Sequence, residues 1–392
     1  MRILIPTTEF PPHPGGVSTV AFEEACGLAL LGEAVTVEAI QPANDSPCGG
    51  AVVRRRTIRA GAIARLVPLT MLVWRAARDV HPGFIWTPTY RGFGLPVMLV
   101  AAARGIPYGI YIHGTEIGTE SRSAARRAVM RRVLSGASFV GTNSDNTRRL
   151  LLQYYPGIAP PVVPIHPGVH ADRFLDPAAV KAGHRLRAEW LGRLPDAAAI
   201  RRGGAEPVML FSAARIARLK GADFVLRALA ANVRAEAGFP AVYVAAGDGP
   251  DLDAFRGLAT ELGVSGRVLF SGPIPYESIS AAYLAADIYA QPSQPVGDFL
   301  ESFGISFVEA QAAGLPCIGS DWGGVPEAVA RDETALLVPV GDHDAVAAAV
   351  RTLVKDPGRR TAMASAARLH AARYSWRSHA ERLLAEIQHR LT

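Results

Sequence analysis

The chain has 392 residues, about half of them hydrophobic and 19% charged, with a formal charge of +6. It is too long for one compact core, too apolar for a disordered chain, and suited to two domains of ordinary size. No apolar run approaches the roughly 20 residues a membrane helix needs, and the start, Met1–Pro6, has no signal-peptide pattern.

In chain order, apolar β-type runs alternate with helical stretches. The expected strands of the first half are 2–6, 34–40, 83–86, 108–113, 139–142 and 162–165. Helices over 18–31 and 121–134 fall between them, closed by Gly32 and Gly136. The run Leu95–Ala103 is apolar but short and interrupted by Pro96. A charged, Pro/Gly-containing stretch from His170 to Glu206 reads as a linker with some helix inside it. The alternation then restarts, with strands at 208–214, 241–246, 268–271, 288–291, 317–319 and 335–340. Helices are expected from Ala222 and from Leu252, and over 277–285, 305–313, 343–354, 359–372 and 376–391. Strand–helix alternation of this kind predicts parallel, doubly wound sheets with ligands at the carboxyl ends of the strands. The domains follow as 1–170, a linker over 171–206, 207–372, and a closing segment 373–392.

Charge is uneven. Residues 1–170 carry 17 Arg against 10 Asp and Glu, so the basic excess lies in the first half. Arg122, Arg126, Arg127, Arg131 and Arg132 recur at helical spacing, and with Arg54–Arg56 they could meet an anionic lipid surface or an acidic acceptor, or simply form a solvated face. Cys26, Cys48 and Cys317 are far apart and in no CxxC pair, so they are expected as reduced thiols of a cytoplasmic protein.

Four stretches could carry chemistry. The loop Pro11–Ser18 holds Gly15 and Gly16 at a strand-to-helix junction, which suits a phosphate or acceptor hydroxyl but also an ordinary turn. Arg215 and Lys220 flank a loop after an expected strand. At about 4 Å from a diphosphate each cation contributes roughly 4 kcal/mol at an effective dielectric near 20, before desolvation; taken alone they read first as solvated loop cations. Glu301 and Glu309 bracket Ser302-Phe303-Gly304-Ile305. On one continuous helix they would sit ~12 Å apart, so Glu301 is expected in a loop, the helix start near Gly304, and Glu309 inside the helix. Asp251-Leu-Asp253 and Asp342-His-Asp344 spell D-x-D, but both open expected helices and read as caps, so no metal is expected.

Together with His113-Gly114, Thr142–Ser144, Pro167–Val169, Gly247–Pro250, Phe270–Gly272 and Gly323–Glu327, these motifs resemble the family 4 glycosyltransferases over nearly the whole length. The resemblance implies retaining enzymes of the GT-B fold: two Rossmann-like α/β domains facing across a cleft, the last helix crossing back to the first domain. It implies a hexose-type transfer from a UDP- or GDP-linked sugar to an acceptor hydroxyl, with no cofactor beyond that co-substrate. Arg215 and Lys220 would grip the diphosphate, Glu309 the ribose and Glu301 the sugar. The backbone of Ser302, Phe303, Gly304 and Ile305 would meet sugar and phosphate oxygens. Gly247 and Gly272 would serve the donor from the second domain, Gly272 edging the base. Gly15 and Gly16 would approach the diphosphate from the first, and His113 would sit beside the reacting sugar. Small-molecule or lipid-linked acceptors, peripheral contact at the inner membrane face and no nucleic acid complete the expectation. An epimerase or phosphorylase of the same architecture, or a non-catalytic paralogue, is the alternative.

Overall fold

The structure is a computed structural model that describes residues 1–13, 15–40, 48–57, 65–297 and 299–391. The chain divides into two compact units, Met1–Gly168 with Trp376–Thr392, and Val169–Ser375. No helix among the described residues is long and apolar enough to cross a membrane.

The first unit is built on seven strands: β1 (Arg2–Thr7), β2 (Ala34–Ala39), β3 (Val52–Arg55), β4 (Phe84–Thr87), β5 (Tyr108–Ile112), β6 (Phe139–Thr142) and β7 (Val162–Pro164). All pair in parallel, in the order β3-β2-β1-β4-β5-β6-β7. The order reverses between β1 and β4. Parallel strands covered on both faces read as near-continuous apolar runs, which is why the central ones are legible in the sequence. β3 lies at the sheet edge and was not expected, since its Arg54 and Arg55 read as charge. Arg54 in fact bonds the buried Glu38 at 3.4 Å, and Arg55 donates to the Pro11 carbonyl at 2.6 Å.

Helix Trp376–His389 completes this unit by packing on helix Gly16–Leu30. The two approach so closely that a Cβ on Gly27 would lie 2.6 Å from the Ala380 Cβ. Beneath them, buried Glu24 accepts the Trp86 indole N–H at 2.8 Å and meets His379 Nε2 at 3.2 Å. His379 Nδ1 faces the His166 carbonyl at 2.8 Å. Both ring nitrogens of His379 thus face an acceptor.

The cysteine expectation is corrected here. Cys26 and Cys48 form a disulfide with Cα atoms 4.7 Å apart, and only Cys317 is a free, buried thiol. A separation of 22 residues does not reveal that the segment before β3 returns to helix Gly16–Leu30. Cysteine usage therefore gives no argument for a reducing compartment.

The second unit has six parallel strands: β8 (Val208–Ala213), β9 (Ala241–Ala246), β10 (Val268–Gly272), β11 (Ile288–Gln291), β12 (Cys317–Ser320) and β13 (Ala335–Val338). Their order is β10-β9-β8-β11-β12-β13, with the reversal between β8 and β11. The stretch expected as a linker belongs to this unit. It forms helices Pro177–Gly192 and Pro195–Arg202, whose Trp190, Leu191, Leu194, Ala197 and Ile200 are buried with Met209 and Phe211. Its charged residues are the outer face of a packed element, and that outer face dominated the composition.

Candidate active site

Loops at the carboxyl ends of β8 and β11 flank the switch point of the second sheet, where doubly wound folds take their ligands. The β8 loop runs from Ala214 to Gly221, and the β11 loop from Pro292 to Gly304. Together they supply Lys220 and Glu301. Lys220 Nζ lies 2.7 Å from Glu301 Oε2 and 5.0 Å from the centre of the Phe299 ring. The same carboxylate oxygen accepts from Ser293 Oγ at 2.9 Å and Gln291 Nε2 at 3.1 Å. Behind them, Tyr289 OH donates to Gln291 Oε1 at 2.7 Å. That bond fixes the amide orientation and aims its NH₂ at Glu301.

Helix Ile305–Ala312 begins after Gly304, whose φ of 93° is a left-handed conformation that favours glycine. Its third turn is not reached before Glu309, which points to Tyr283; Tyr283 OH donates to Glu309 Oε2 at 2.9 Å. Glu309 is half-buried. Burial pushes its pKa up to about 7, against the lowering effects of the Tyr283 hydrogen bond and the Arg173 charge. Burial also holds the Tyr289 phenol well above its ordinary value; a Ser306 hydrogen bond opposes this, and the charges of Glu301 and Glu309 add to it.

Several glycines act one layer back. A Cβ on Gly324 would overlap the Ser302 carbonyl, and one on Gly221 the Pro292 carbonyl. Gly324 N–H also donates to Glu301 O at 2.7 Å. The 323–324 glycines thus let a neighbouring turn lie flat against the Glu301–Gly304 loop. The β8 loop is pinned in the same way: a Cβ on Gly247 would strike Ala214 O, and Asp251 Oδ2 accepts the Arg218 N–H at 2.8 Å. Asp251 therefore holds the cation loop and does not cap its own helix, whereas Asp342 caps helix His343–Lys355 through Ala345 N–H at 2.8 Å.

Two family profiles cover most of the chain: "Glycosyltransferase Family 4" matches residues 14–173 and "Glycosyl transferases group 1" matches residues 198–370. A GDP-mannose-dependent alpha-(1-6)-phosphatidylinositol monomannoside mannosyltransferase of Mycobacterium tuberculosis is 31% identical over 377 residues, covering 94% of this chain and 92% of that protein. The chain belongs to glycosyltransferase family 4.

Further similarity extends to D-inositol 3-phosphate glycosyltransferase 1 of Catenulispora acidiphila, 29% identical over 398 residues, 95% of this chain and 90% of that one. Among solved structures, Anabaena Alr3699/HepE in complex with UDP and glucose superposes with a TM-score of 0.77 at 20% identity, over 99% of both chains. Sucrose-phosphate synthase from Thermosynechococcus elongatus gives 0.78 at 19% identity, over 99% and 98%. The fold of this transferase is GT-B.

Within the transferase, Lys220 and Glu301 meet directly, while Arg215 on the same loop is exposed. Phe303 turns its ring into the core 5.6 Å from Tyr374, leaving its backbone to the loop; Ser302 and Ile305 remain partly exposed. Gly272 ends β10 beside a cavity of 690 Å³ lined by its neighbours Ser271 and Ile274 together with Arg173, Trp190 and Glu277. In the first unit, Gly15 and Gly16 are exposed at the start of helix Gly16–Leu30; Pro14 of this loop lies outside the described residues. His113 follows β5, and its Nε2 faces the Pro88 carbonyl at 2.8 Å. Its backbone N–H donates to Glu116 at 2.6 Å, and its carbonyl accepts from Asn143 at 3.1 Å. A ring that donates through Nε2 presents Nδ1 as an acceptor when neutral. Sequence reasoning missed Gln291, Ser293, Tyr283 and Tyr289. The signal available was two polar residues closing the apolar run Ile288–Ala290 at the carboxyl end of a strand.

Proposed function

We propose that this enzyme transfers a hexose from a UDP- or GDP-linked sugar to an acceptor hydroxyl with retention of anomeric configuration. The observation that carries the proposal is the Lys220–Glu301 pair at the β8/β11 switch point, with Glu309 in the following helix. Lys220 and the exposed Arg215 supply cations for a diphosphate, Glu309 an acceptor for ribose hydroxyls, and Glu301 Oε1 an acceptor for the sugar. The base is proposed to pass along Gly272.

Glu301 Oε2 already accepts three hydrogen bonds, which makes it a poor nucleophile. In the proposed step the sugar C1–O(phosphate) bond breaks as the C1–O(acceptor) bond forms on the same face. The acceptor proton passes to a diphosphate oxygen. Lys220 stabilises the charge that accumulates on the leaving group, a role commonly supplying several kcal/mol. No metal is needed for this step. The roles of Gly15, Gly16 and His113 in donor positioning belong to the same proposal.

The relatives named above act on inositol-containing molecules, and their names favour such an acceptor here, free or lipid-linked, with the enzyme cytoplasmic and in peripheral contact with the membrane. A thermal-shift screen over sugar nucleotides identifies the donor, since binding stabilises by mass action. NMR of the product then reads the anomeric configuration. Inversion of configuration would overturn the mechanism, and binding with no transfer to any acceptor would leave only a donor-binding protein.

A further inference from the structure

Two tyrosines stand behind the two carboxylates of the second unit's site. Tyr283 lies in the short helix Ile279–Leu284 and Tyr289 in β11, and neither is exposed at all. Their rings are 5.7 Å apart at 43°, inside a core that also holds Phe211, Phe303 and Phe307. Phe211 meets Tyr283 edge-on at 5.3 Å, and Phe307 meets Tyr289 in the same way at 5.3 Å. Phenylalanine would satisfy this packing at both positions, and a buried hydroxyl costs free energy unless it finds a partner. Both hydroxyls find one, and the partners lead to different carboxylates.

Tyr283 acts directly: its OH donates to Glu309 Oε2 at 2.9 Å. Tyr289 acts through Gln291, which is 1% exposed. The phenol donates to Gln291 Oε1 at 2.7 Å, while Gln291 Nε2 donates to Glu301 Oε2 at 3.1 Å and to Ser293 Oγ at 3.2 Å. Ser293 in turn donates to Glu301 Oε2 at 2.9 Å. The direction of this chain is set at its far end. With the phenol donating to Oε1, the amide offers its N–H groups forward. Turned over, it would present an oxygen to a carboxylate oxygen and take a donor away from Ser293.

We propose that Tyr283 and Tyr289 are positioning residues with divided tasks. Tyr283 sets the carboxylate that meets the nucleoside. Tyr289, through Gln291 and Ser293, sets the one that meets the sugar, holding Glu301 by Oε2 and leaving Oε1 for a sugar hydroxyl. Selectivity for the two halves of the donor is then tuned by two hydroxyls that touch neither half. The inference rests on the donor-site roles proposed above for Glu301 and Glu309.

The experiment is calorimetric titration of the full chain with GDP, GDP-mannose, UDP and UDP-glucose, using the pair that the wild type binds. The quantity read is the ratio of Kd for the sugar nucleotide to Kd for the bare diphosphate. Y283F and Y289F each remove one oxygen and keep the ring, and melting curves check that both remain folded. Y289F should raise the ratio about fivefold with Kd for the diphosphate unchanged, and S293A should do the same. Y283F should weaken both ligands about fivefold and leave the ratio as it was. E301Q separates this inference from the reading beneath it and should raise the ratio at least about tenfold. An unchanged ratio in E301Q overturns the assignment of Glu301 to the sugar, and this inference with it. A ratio that E301Q shifts but Y289F and S293A leave alone overturns the inference and leaves the proposed function standing. So does a Y289F loss shared equally by sugar nucleotide and diphosphate, as a merely structural role would give, or wild-type affinity in Y283F.

Discussion

The ammonium of Lys220 and the carboxylate of Glu301 are joined at 2.7 Å across 81 residues of chain. Each is delivered by a different strand end. Lys220→Ala should therefore lower kcat/KM by about two to three orders of magnitude, as loss of a charge-stabilising group commonly does. It should also destabilise the fold by about 1–2 kcal/mol, less than a fully buried pair would lose, because Lys220 is only half-buried. Chemical denaturation of both single variants and the double variant Lys220→Ala/Glu301→Ala tests the coupling; the double should lose less than the sum.

Glu309 predicts an opposed pair of effects. Its folded pKa of about 7 lies above the ordinary carboxylate value of 4.5, so between these values the native state binds the extra proton. Stability from this group is present at acid pH and is lost as pH rises through about 7. Glu309→Gln, which cannot ionise, should raise Tm relative to the wild type at pH 8.5 more than at pH 5.5. The same variant should bind the donor nucleotide at least about tenfold more weakly, since it replaces a charge-assisted hydrogen bond. Melting curves at the two pH values and calorimetric titration separate the two.

Gly324→Ala tests the packing beneath the site. A methyl group there overlaps the Ser302 carbonyl, and overpacking of this kind costs about 1–3 kcal/mol. The displacement falls on the Glu301–Gly304 loop, so the Kd for nucleotide should rise while the far-UV circular dichroism spectrum is retained. Gly257→Ala, whose added methyl meets no neighbour within 4 Å, is the comparison; it should leave nucleotide Kd unchanged.

His379→Ala should leave Glu24 Oε1 buried without its imidazole partner, at a cost of about 1–3 kcal/mol. Replacing both, as Glu24→Leu/His379→Leu, should recover part of that loss. Urea unfolding followed by tryptophan fluorescence measures it.

How far these features were readable in the sequence depends on where their signal lies. β1, β6, β9 and β11 are apolar because both faces of a parallel sheet are covered, and their residues alone reveal them. β3 escaped because an edge strand carrying Arg54 and Arg55 looks like solvated charge. Some helix was expected within 171–206, but its membership of the second core was not, because the exposed residues of 177–202 outnumber Trp190, Leu194 and Ile200, which hold them there. The helix start after Gly304 followed from chain geometry. That Lys220 reaches Glu301 did not, since contacts between loops depend on strand order, and strand order is not a local property. Gln291 and Ser293, at a strand's end, gave only a change of polarity, with nothing to say that both face the same oxygen.

The tie between Glu24 and His379 spans 355 residues, so it also orders events during synthesis. An emerging polypeptide exposes Glu24, its helix and Gly27 long before Ala380 and His379 have been translated. Domains assemble from the amino end as they leave the ribosome. Here that nascent half keeps Glu24 without its imidazole partner, and a groove uncovered along its first helix, until His379 and Ala380 have been made.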